Sequence, residues 1–283
     1  MPRWHWIYRD FVESVDNLSG ASWPQSVTRY LEQNWALLKS IHFGPRGFES
    51  YREVMTHFQI LTRERYSSLL DKLPDPPTFE LTVTSIVERL LRHLNLQEQD
   101  QDVYVIVGLD CTNIYSTEYE GRPVTVLCLE ATNGDFREIE LLFAHEVHHW
   151  KRQSLIPHNI FEFSVYERCA TEGLAICFSE EIQPGRAVHE YCFVPPESVV
   201  WVQSHIHELT EAIRELRPFE TQATSALFSR RPEWVPIPGM PPRTGYVYGY
   251  LRTRAFLSRT RTNATEMAHV DCDAIFGGAM IDG

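Results

Sequence analysis

Residues 145 to 149 read HEVHH. A helix advances about 100° per residue, so His145 and His149, four apart, stack on one face with both imidazoles directed at a common point. Two neutral imidazoles at that spacing form half of a tetrahedral zinc site. Glu146 lies about 100° round from His145, off the ligand face yet near enough to reach a water held by the metal, which is the geometry of a general base. The pentapeptide therefore predicts a zinc centre that activates water. The rest of the chain must supply a helix to carry it, a third protein ligand, and an open fourth position.

The helix is legible. ATNGD at 131–135 is a turn cluster, and Asp135 followed by Glu138 resembles a capping box, so a helix is expected to begin near Phe136. Along it Phe136, Ile139, Phe143, Val147 and Trp150 fall on one side as a core stripe, with His145 and His149 roughly opposite. A histidine pair that only filled a core would lie within that stripe. For the third ligand, the apolar run Phe161 to Glu181 offers Glu167 and Glu172. Five residues apart is roughly 140° on a helix, so the two cannot face one ion together. Glu172 is the better choice, because Ala170, Gly173 and Ala175 around it let this helix approach another backbone closely. Gly173 costs about 1 kcal/mol inside a helix, which asks for a packing or functional reason. Cys128 or Cys169 as a thiolate in a His2Cys site is the weaker alternative.

HEVHH followed by a helix carrying TEGLA resembles the gluzincin branch of the zincin metallopeptidases. Within it, the match is to the predicted zinc-dependent protease family, a domain of unknown function in which HExHH is followed by EGLA. GYVYGYL at Gly245 to Leu251 also resembles that family's GYxxGY stretch. The similarity spans roughly Asp102 to Ser258 and is strongest in the two metal segments. It implies Zn2+ as cofactor, a peptide or protein as substrate, His145 and His149 as the histidine ligands, Glu146 as the catalytic base and Glu172 as the third ligand. It carries no substrate identity. Tyr246, Tyr248 and Tyr250 open the last helical segment, and a phenol reaching the cleft would stabilise an oxyanion. The resemblance and its N-terminal place favour Tyr246. His148, about 60° from His145, reads as a structural residue, as do His205 and His207, which stand about 200° apart.

The fold expected around these residues is α+β, a zincin-like domain with a small sheet beside the HExxH helix. Residues 1–98 are expected to form a mostly helical region packed on a catalytic part at 99–283, with helices over Val27 to Leu38 and Leu81 to Leu96. PDPP at 74–77 separates the second of these from what precedes it. Two β-rich runs, Val103 to Val107 and Val124 to Leu129, precede the metal helix, and one of them would form the sheet edge to which an extended peptide adds as another strand. Pro196 to Leu216 reads as one amphipathic helix. Arg217 to Thr244, with six prolines, reads as an ordered loop.

With 283 residues and 43% hydrophobic content the chain can bury a large core without staples. Six cysteines without a CxxC pair read as buried thiols of a reducing compartment. No stretch approaches the length of a membrane span, and the N-terminus has no apolar h-region, so a cytoplasmic protein is expected. A net charge of -12 argues against nucleic acid as a partner. Two rival readings are a catalytically silent zinc-binding regulatory protein and a di-iron carboxylate protein, the latter built on Glu146–His149 and Glu266–His269 as paired ExxH motifs.

Overall fold

Among the described residues, three of the four strands come from residues 102–128, and the fourth is residues 3–5. β1 (Arg3–His5), β2 (Asp102–Ile106), β3 (Ile114–Tyr119) and β4 (Arg122–Cys128) form one sheet in the order β1-β2-β4-β3. β1, β2 and β4 run parallel, and β3 is antiparallel to β4. β3 and β4 are joined by Glu120 and Gly121, with φ of 51° and 73°. Two central residues with positive φ make the hairpin turn whose twist matches that of the strands.

Neither β-rich run is the sheet edge that the sequence suggests. Both are inner strands, and the edges are β1 and β3. The physical reason is visible in the burial. β2 is buried at every position and β4 at its last five, the pattern of strands covered on both faces. β3 (IYSTEY) is buried only at Ile114 and then alternates between half-buried and exposed positions, so it carries many polar residues.

This computed structural model describes residues 2–16, 23–58, 62–96, 100–156, 164–216 and 221–277. The chain clusters into two units, Met1–Glu146 and Val147–Gly283. In the first, the strands are joined by α1 (Tyr8–Asp16), α2 (Trp23–Leu38), α3 (Tyr51–His57), α4 (Arg63–Leu70) and α5 (Pro76–His93). The prolines at 76 and 77 open α5 instead of merely preceding it: Asp75 caps its N-terminus by accepting from Thr78 N, and a first-turn proline has no amide to leave unpaired. α6 (Phe136–Leu155) follows the sheet, and the division between the units falls within it. Phe143 of α6 packs edge-on against Trp4 of β1, 5.8 Å between ring centroids.

The second unit holds α7 (Val165–Ile182), α8 (Val188–Cys192), α9 (Pro196–Ser204), α10 (Ile206–Glu215), α11 (Thr221–Phe228), α12 (Thr244–Thr260) and α13 (Cys272–Phe276). Two expectations are corrected here. The single helix expected over Pro196 to Leu216 is two, broken at His205 (φ -115°, ψ 16°), whose ring turns back to stack on Trp201 at 4.2 Å. The proline-rich stretch is not loop throughout, because Thr221–Phe228 lies between its prolines and forms α11. Residues 161–163 and 217–220 of the expected segments lie outside the described residues. Among the described residues no helix is long and apolar enough to cross a membrane.

Candidate metal centre

α6 starts where its signals place it. Asp135 Oδ1 accepts from Arg137 N at 2.8 Å, satisfying a first-turn amide. The core stripe is real, with Ile139, Phe143, Val147 and Trp150 all buried. One ligand-capable atom from each of His145, Glu146 and His149 lies within 4.8 Å of the others. The two histidines are half-buried and Glu146 is buried. Glu146 Oε2 accepts a hydrogen bond from Ser116 Oγ of β3 at 2.7 Å.

α7 begins at an N-cap, Ser164, whose side chain accepts from Glu167 N. Its two carboxylates then part company. Glu167 is engaged by Arg152: the guanidinium, with its side chain only 3% exposed, pairs with Glu167 and also donates to Thr171 Oγ1 and the carbonyls of Ala268 and Val270. Glu172 is brought to the histidine, with Oε2 3.5 Å from His149 Nε2, and Oε1 is 3.6 Å from Arg168 Nη2. A charge-assisted hydrogen bond would be about 2.7–2.9 Å. Two ligands each about 2.0–2.1 Å from one tetrahedral ion stand about 3.4 Å apart. The separation thus fits atoms that share a zinc better than atoms bonded to each other. Glu172 is not a member of the tight three-residue group, whose carboxylate is that of Glu146.

The small residues around Glu172 have the close-packing role expected of them. A Cβ on Gly173 would lie 2.3 Å from Thr253 Oγ1 and 2.4 Å from Gly249 O, so α7 and α12 touch backbone to backbone there. Tyr246, at the start of α12, lies edge-on to Phe228 (5.2 Å) and under the Arg243 guanidinium (4.5 Å). Burial, and then the nearby Glu172 carboxylate, raise its pKa, so the phenol keeps its proton. Burial opposes the charge on Arg168, but Glu172 and Tyr246 outweigh it and its pKa is raised. Tyr248 and Tyr250 reach elsewhere, to Thr210 (3.2 Å) and Glu180 (2.9 Å).

Other candidates fall away from the cluster. His148 is fully buried, with Nε2 3.2 Å from Ala264 O, a structural role. Cys128 and Cys169 are buried thiols outside the three-residue group, and burial raises the Cys169 pKa, which disfavours a thiolate. Glu266 and His269 lie in a turn segment, not on a helix that a four-helix di-iron site would need. Sequence reasoning missed Ser116, Arg168 and Arg152. The Glu120-Gly121 turn before a β-rich run is the one signal that would have revealed β3, and with it Ser116. Arg168 stands four residues before Glu172, the spacing at which helical side chains meet.

Residues 97–277 match a family model described as predicted Zn-dependent protease (DUF2268). No curated protein and no solved structure is significantly similar to the chain. The matched segment covers more than half of the chain and contains α6, α7 and α12 with all of the residues just described, so the chain belongs to the family of predicted Zn-dependent proteases.

Proposed function

We propose that this protein is a zinc-dependent peptidase of the gluzincin type, in which His145, His149 and Glu172 hold the ion and Glu146 is the general base. The observation that carries the reading is the grouping of His145, Glu146 and His149 on α6, with Glu172 Oε2 3.5 Å from His149 Nε2. Zinc held by these residues would supply a Lewis acid for the scissile carbonyl and would bring the pKa of a water towards about 7.

The protein's own groups do the rest. Glu146 takes the proton of the attacking water and delivers it to the leaving amine, one carboxylate serving first as base and then as acid. Arg168 faces the outer oxygen of Glu172 and fixes its orientation, as an outer partner does for a ligand. Tyr246, kept protonated, is a hydrogen-bond donor for the developing oxyanion. β3, a sheet edge whose Ser116 touches Glu146, is the strand along which an extended substrate would lie, its backbone paired to the strand.

Metal analysis of the purified protein, joined to a peptide-library cleavage assay, tests the reading. The expected result is about one zinc per chain and cleavage that a chelator abolishes. Zinc without cleavage of any peptide would favour the silent regulatory protein instead, and absence of zinc binding would remove both.

A further inference from the structure

Ser116 and Thr125 stand directly opposite each other across the β3–β4 ladder. Ser116 Oγ donates to Glu146 Oε2 at 2.7 Å and lies 3.1 Å from Thr125 Oγ1, which in turn accepts from Gln101 Nε2 at 3.1 Å. A hydroxyl has a single hydrogen, and an ionised carboxylate can only accept. Ser116 spends its hydrogen on Glu146, so the hydrogen between the two hydroxyls must come from Thr125. The direction of the whole relay is thereby fixed, from the Gln101 amide through Thr125 and Ser116 to the carboxylate. Donors aligned in one direction polarise one another, and the last of them is strengthened. Gln101, Thr125 and Glu146 are 5%, 0% and 4% exposed, so the relay is anchored in the interior and only its Ser116 link stands at the strand surface.

We infer that Ser116 is a positioning residue for Glu146. Glutamate has three rotatable side-chain bonds, and a charge-assisted bond to Oε2 holds the carboxylate in one orientation while Oε1 is left to exchange protons. This rests on the peptidase reading and adds the residue that sets its base. Since general bases act only within hydrogen-bond reach of the proton they take, an unanchored Glu146 spends most of its time out of position.

The test uses the full chain, zinc-loaded for kinetics and metal-free for stability. On a cleaved peptide, Ser116→Ala is expected to lower kcat about tenfold with KM and zinc content unchanged, and Ser116→Thr, which restores the hydroxyl on a strand that favours threonine, to recover kcat. In the metal-free protein, Ser116→Ala is expected to lower the urea midpoint more in the wild-type background than in Glu146→Ala, where only the bond to Thr125 remains to be lost. An unchanged kcat in Ser116→Ala, no recovery in Ser116→Thr, or equal midpoint shifts in both backgrounds would overturn the role. A wild type that cleaves no peptide counts against the peptidase reading itself, whereas cleavage indifferent to Ser116 counts against the positioning role alone.

Discussion

Glu167 and Glu172 stand five residues apart on α7 and have unrelated partners, so their variants should behave differently. Glu172→Ala is expected to weaken zinc binding and to abolish the zinc-dependent part of the melting temperature. Glu167→Ala should keep about one zinc per chain but strand the buried Arg152 guanidinium, at a cost of about 3 kcal/mol with or without metal. Titration with zinc followed by calorimetry on both proteins checks this, and exchanged outcomes would mean that the ligand is misassigned. Tyr246→Phe is expected to lower turnover about 10²-fold with little change in KM or zinc content, beside Tyr248→Phe as a control, since Tyr248 bonds Thr210. Steady-state kinetics decides, and equal small effects would reduce both phenols to packing. At this scale the two histidines and Glu146 were legible because their spacing is internal to one helix. Ser116 was not, because its meeting with Glu146 is a tertiary contact between residues 30 apart in sequence. Arg152 was hidden for the same reason, its partners lying on α7 and in the segment after α12.

Between elements, the contact of α7 with α12 depends on two glycines. Gly249 stands as close as Gly173, since a Cβ there would lie 2.3 Å from Cys169 O. Helix propensity alone favours Gly173→Ala by about 1 kcal/mol. The new methyl would meet the Gly249 carbonyl, which cannot move aside like a flexible side chain, and overpacking of this kind costs about 1–3 kcal/mol or more. The clash should win, so Gly173→Ala is expected to lower the urea midpoint of the metal-free protein, and a higher midpoint would show that α12 can shift. The sequence displayed α6 through its cap at Asp135 and its apolar stripe, and α7 through its apolar run. It concealed the break at His205 because the apolar pattern of α9 continues into α10 without a proline or glycine to mark the interruption. It concealed β3 because an edge strand is half polar and reads like a loop.

Across the molecule, α+β architecture followed from runs of the right period, while the strand from residues 3–5 was too short to be seen without its partner β2. One buried carboxyl outside the candidate metal centre couples stability to pH. Glu130, 2% exposed, accepts from Gly108 N and Asp110 N where the chain takes positive φ at Leu109 and Asp110. Burial pushes its pKa up to about 7, above its ordinary value of 4.5. The folded protein therefore holds this proton more tightly than the unfolded chain. The stabilisation is full below pH of about 4.5 and is lost as pH rises towards about 7, a change of about 3 kcal/mol at most. Urea unfolding at pH 5 and pH 8 should show this loss in the wild type and a smaller one in Glu130→Gln, and identical pH dependence in the two would exclude Glu130 as the source. The central claim is tested most directly by measuring zinc content and peptide hydrolysis on the same samples of wild type and Glu146→Gln. The account predicts equal zinc, about one per chain, and hydrolysis lower by at least about 10²-fold in the variant. Equal hydrolysis at equal zinc would contradict it, because the base would then be some other group.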